Sequence, residues 1–108
     1  MRNGLYKAAF RTPRGEGTGV VYLHDGRAHG GDAIQYYVGE YKAEGDGFTA
    51  TLVSKAHSHY PGSGSVFGVD TAHMTLRGNA QGDTAQLSGT AKEAPGLTFQ
   101  VVLTRIAD

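Results

Sequence analysis

The chain has 108 residues, seventeen of them glycine and none cysteine, and ten Lys and Arg offset ten Asp and Glu. That length supplies apolar material for one core, so a single domain over residues 1 to 108 is expected. Zero formal charge removes the attraction on which non-specific nucleic-acid or anionic-lipid binding depends, and the lack of cysteine excludes disulfides, zinc-thiolate sites and thiol nucleophiles.

The glycines are spread between hydrophobic runs, which indicates many turns rather than disorder. Met1-Arg2-Asn3-Gly4 leads directly into a strand pattern, with no apolar signal segment and no span long enough for a bilayer, so the chain is read as cytoplasmic. Leu5 to Thr12 alternates Tyr6, Ala8 and Phe10 against Lys7, Ala9 and Arg11, the pattern of a half-buried strand. Pro13-Arg14-Gly15-Glu16-Gly17 is expected to turn, and Thr18 to His24 to form a more apolar strand. Asp25-Gly26 then suits a type I′ hairpin, where both central residues need positive φ, with a short strand at Arg27 to His29 pairing back.

One turn of helix is conceivable at Asp32 to Gln35, with Asp32 as its cap. Tyr36 to Lys42 sets Tyr37, Gly39 and Tyr41 against Val38, Glu40 and Lys42, and Gly45-Asp46-Gly47 reverses the chain. Phe48 to His57 places Phe48, Ala50, Leu52, Ser54 and Ala56 on the inner face. Residues 58 to 68 are too glycine-rich for a regular strand and are expected to form an irregular rim. Thr71 to Asn79, Thr84 to Ala91 and Leu97 to Ile106 complete the series, joined by Gln81-Gly82-Asp83 and by Glu93-Ala94-Pro95-Gly96.

About eight strands in sequential hairpins predict an all-β fold, a closed antiparallel up-and-down barrel of the lipocalin-like kind, with an open sandwich as the alternative. Ala8, Gly19, Gly39, Ala50, Ala72, Ala85 and Gly89 fall inward beside Tyr6, Phe10, Tyr37, Tyr41, Met74 and Phe99. Such a mixture either packs a tapered barrel solid or leaves a pocket, and the six large residues are the candidates to line one.

No catalytic set emerges. His57 and His59 have a chelating spacing but need a third ligand that the sequence does not place beside them, so no metal and no cofactor are expected. Gly62-Ser63-Gly64-Ser65 lacks the lysine and the following helix of a phosphate loop and reads as a flexible rim. Asp25, Asp46 and Asp83 stand where turns favour them, and no Gly-x-Ser-x-Gly elbow occurs.

Gly4-Leu5-Tyr6, Phe10, Gly15-Glu16-Gly17, the apolar strand to Leu23, Asp25-Gly26, Gly30-Gly31-Asp32 and Tyr37-x-Gly39 follow one another in an order and spacing that resembles the GrlR family, the negative regulators of type III secretion. The likeness covers residues 4 to about 50. It implies a lipocalin-like barrel, a tendency to dimerise and repression through binding a transcriptional activator rather than DNA. The family's namesake has a compact acidic run after the Tyr-x-Gly strand. Here Ala43-Glu44-Gly45-Asp46-Gly47 keeps two carboxylates, and Glu44 and Asp46 become the candidate partner contacts.

The function expected is that of a non-enzymatic dimeric regulator that binds another protein, with a carrier or sensor of a small apolar ligand or lipid as the alternative and a hydrolase or isomerase using the histidines ranked last. For the dimer, Leu5, Val20, Tyr22 and Val102 are the expected interface, supported by Ala9, Val38 and Ile106, because each is apolar at an outward position.

Overall fold

Tyr6, Ala8 and Thr12 are buried while Lys7 and Arg11 are exposed, and the same two-residue period runs through every strand. The computed structural model describes residues 1–59 and 70–108. Over these the chain forms β1 (Gly4–Thr12), β2 (Gly15–His24), β3 (Arg27–Gly31), β4 (Gln35–Glu44), β5 (Gly47–Ala56), β6 (Thr71–Gln81), β7 (Thr84–Ala91) and β8 (Ala94–Ala107). Each strand pairs antiparallel with the next, and β8 returns to β1 to close an eight-stranded barrel. Closure buries the apolar face that the alternation of side chains creates, which a single open sheet would leave in water. Most of the expected irregular rim, including Gly62-Ser63-Gly64-Ser65, lies outside the described residues.

The hairpin turns follow their local chemistry. Asp25 and Gly26 both take positive φ, 49° and 85°, as a type I′ turn requires. Three expectations are corrected. The first turn contracts to Pro13-Arg14, where the Arg14 amide donates to Thr12 Oγ1 at 3.1 Å, so β2 begins at Gly15 rather than Thr18. Asp32 to Gln35 is not a helical turn: residues 33–34 bend and Gln35 opens β4. Ala94-Pro95-Gly96 belongs to β8, which starts there and not at Leu97. Ala91 opposes Ala94 while Gly89 opposes Phe99, so Pro95 to Thr98 bulge out beside Thr90. A bulge is one of the few places in a sheet that tolerates a proline without an N–H.

Inward glycines let neighbouring strands coil tightly. A β-carbon on Gly89 would fall 1.8 Å from the Thr75 carbonyl oxygen, a separation no side chain can occupy. Outward positions carry Lys7, Arg11, Glu40, Lys42, Lys55 and Arg77, so the polar face is outside and the apolar face inside. No helix among the described residues is long and apolar enough to cross a membrane.

The two ends of the barrel differ. At one end the first residues cross the floor. Met1 packs against the core, Arg2 grips Asp83 through two hydrogen bonds of 2.7 and 3.1 Å, and Asn3 exchanges two bonds of 3.0 Å with Asp25. The Tyr6 hydroxyl, fully buried beneath, donates to the Arg2 carbonyl at 2.7 Å. At the other end lie the Pro13-Arg14 turn, residues 32–34 and the Lys92-Glu93 turn.

Candidate functional site

Packing does not fill the barrel. A cavity of about 290 Å³ runs inward from the Asp32 end, walled by Val21, Leu23, Leu76, Leu87, Val101 and Leu103 among others. Engineered apolar cavities of about 150 Å³ stay dry and bind benzene, so this space is of ligand size.

Five of the six expected pocket residues line it: Phe10, Tyr37, Tyr41, Met74 and Phe99. Phe10 stands between Tyr37 and Phe99, with ring centroids 6.3 and 6.2 Å away, and meets Tyr37 edge to face. Tyr41 stacks on Phe48 at 5.4 Å. Tyr6 is not part of the lining. Its ring is buried in the floor, and burial pushes its phenol above the ordinary value.

Apart from the Tyr41 phenol, which lies toward Tyr6, the polar groups of the cavity gather at its mouth. Asp32 Oδ1 accepts the backbone N–H groups of Ile34 and Gln35 at 2.8 and 2.7 Å, the chemistry of a capping aspartate without the helix. Its other oxygen accepts the Tyr37 hydroxyl. Burial, and secondarily this bond to a carboxylate, drive the Tyr37 phenol far above its usual range. Gly19 makes room for the pair, since a β-carbon there would sit 2.6 Å from the Tyr37 hydroxyl oxygen.

Just inside, Gln35 and Ser54 are 5% and 7% exposed and both line the cavity. The Ser54 hydroxyl donates to Gln35 Oε1 at 2.9 Å. Sequence reasoning had set Ser54 inward but missed Gln35, although extending the phase of Tyr37 and Gly39 back by two residues places it on the inner face.

The histidine pair is organised otherwise. His57 Nε2 is 2.9 Å from the Asp32 carbonyl oxygen, an obligate acceptor, so Nε2 is the donor of that bond, while Nδ1 lies 2.8 Å from Ser58 Oγ. His59 faces Asp70 at 3.5 Å, and neither histidine lines the cavity. Among the described residues no three potential ligands cluster to hold a metal ion.

Glu44 and Asp46 are exposed at the β4–β5 turn, at the floor end and far from the mouth. Val20, Tyr22 and Val102 are 41%, 40% and 43% exposed on the outer face, and Leu5 is half-buried. Leu5 pairs directly with Tyr22, and Ala9 with Val102, whereas Lys7 stands opposite Val20 and divides the stripe. The chain matches no protein-family model and no curated protein.

Proposed function

We propose that the barrel binds a small apolar molecule in its interior, as a carrier or a sensor. The observation that carries this reading is the cavity itself, about 290 Å³ of mostly apolar-walled space with most of its polar groups at one end. Concave, mostly apolar sites with a few oriented polar groups are the general form of small-molecule sites. Nothing in the packing requires the space. Leucine or phenylalanine at positions such as Ala8 or Ala50, both inward, would fill it and stabilise the fold. The test is saturable binding of a hydrophobic fluorescent dye to the folded protein, together with native mass spectrometry of freshly purified material. Binding that disappears in an Ala50→Phe variant of unchanged fold supports the proposal. Wild-type protein that takes up neither dye nor any apolar compound excludes it.

The second reading is a regulator that binds another protein, as the resemblance to the GrlR family implies. It is favoured by the exposed apolar side chains Val20, Tyr22 and Val102 beside β1, where solvated strands carry polar groups. A homodimer through this outer face is the form of it that the residues support.

A further inference from the structure

Within that cavity-binding reading, we infer that the ligand is an uncharged amphiphile whose oxygen, a carbonyl or a hydroxyl, accepts a hydrogen bond from the side-chain amide of Gln35. Three observations carry this, all at the mouth of the cavity.

The first is a donor without a partner. Gln35 is held by its backbone N–H on Asp32 and by its Oε1, which accepts from Ser54. Its Nε2 has no hydrogen-bond partner among the described residues, although the residue is only 5% exposed and lines the cavity. No sealed side-chain nitrogen or oxygen lacks a partner among the described residues, so this N–H₂ is open to the cavity, and a ligand that enters must offer it an acceptor or leave it unpaired.

The second is the charge of the lining. Among the described residues it includes the carboxylates of Asp32 and Glu16 and no Lys, Arg or His. A fatty-acid carboxylate would therefore be desolvated beside like charges with no cation to receive it.

The third concerns the opposite sign. Asp32 already accepts from two backbone N–H groups and the Tyr37 hydroxyl, so its acceptor capacity is largely used. The unpartnered atom nearby is a donor, which an ammonium head cannot use. An ester, ketone or alcohol meets the donor without facing either difficulty, and its tail reaches the aliphatic wall around Leu23, Leu76 and Leu103.

The experiment compares four probes of similar length on the wild-type chain: methyl octanoate, octanoate, octylammonium and nonane, by displacement of a bound dye at neutral pH. The expected order places methyl octanoate first, ahead of octanoate by at least tenfold and ahead of octylammonium. A hydrogen bond to Gln35 corresponds to about tenfold over nonane. In NMR spectra the Gln35 side-chain amide should shift with the ester and not with nonane. Gln35→Leu should lose the preference for the ester over nonane, read as a ratio within that variant; if it proves unfolded, the side-chain amide shift in the wild type decides. Octanoate or octylammonium binding as well as the ester overturns the inference, as does an ester preference that survives in Gln35→Leu. Nonane binding with no preference for the ester defeats this inference alone, whereas failure of all four probes defeats the cavity-binding reading itself.

Discussion

The Tyr37 hydroxyl donates to the Asp32 carboxylate across the mouth of the barrel, in space that Gly19, two strands away, leaves open. Gly19→Ala should force the pair apart, since the new methyl group would also lie 2.9 Å from the Gly31 carbonyl oxygen. Overpacking of this kind costs about 1–3 kcal/mol, and Tyr37→Phe, which only removes the bond, about 1 kcal/mol. Urea unfolding of the two variants checks both the order and the size.

The same tyrosine sets an alkaline limit. Tyr37 and Tyr6 ionise above their ordinary value in the folded chain, chiefly because burial penalises the phenolate. Their contribution to stability is complete below about pH 10 and declines as the pH rises further, because the unfolded chain loses those protons first. Tyr37→Phe should shallow that decline, and a melting series from neutral to alkaline pH measures it. An identical slope in wild type and variant would contradict the assignment.

At the rim, the His73 backbone N–H donates to Glu93 Oε1 at 2.6 Å, and the His73 ring meets the other oxygen. The backbone bond is the larger cause and the ring the smaller one, and together they hold the Glu93 carboxyl at about 2. Its contribution to stability is present above the ordinary carboxylate value and is lost as the pH falls toward that midpoint. Because the main donor is backbone, His73→Ala should leave Glu93 titrating below 4.5, the ordinary value, as followed by carboxyl carbon shifts.

The outer face yields a prediction about assembly. Wild-type protein should be a dimer by light scattering, and Val20→Glu with Val102→Glu should give a folded monomer, since both side chains point outward and their exchange leaves the core untouched. A wild type that stays monomeric at high concentration removes the regulator reading in this form.

Zinc or nickel should not raise the melting temperature. Both ring nitrogens of His57 are engaged, and chelation with His59 would break at least one of those bonds. A rise of several degrees at stoichiometric metal would reveal a specific site.

The barrel was legible because its signals are local. Period two assigned the inner face, and Asp25-Gly26 fixed a turn whose dihedrals only those residues take readily. What was not legible depended on partners distant in sequence. Asp32 carries a capping signal, but its carbonyl is taken by His57, from the far end of β5, and a bend stands there instead of a helix. Pro95 and Gly96 read as a turn because nothing local reveals that β7 continues beside them and absorbs them in a bulge. For the site, spacing placed the large inner residues but not the difference between floor and mouth. Tyr6 and Tyr37 share an inward phase, and only the N-terminal segment folded over one of them separates their roles.

The seam between β1 and β8 bears on how the molecule is made. Every other ladder joins strands that follow one another along the chain, whereas this one sets Leu5 beside Ala107. A growing chain can zip its hairpins in order, yet β1 keeps an open edge until the final strand exists. Closing so long a loop is entropically costly, so this one pairing should govern the folding rate. During that interval, the last strand of one chain can add to the first strand of another, and two crowded chains would exchange β8 rather than tangle elsewhere.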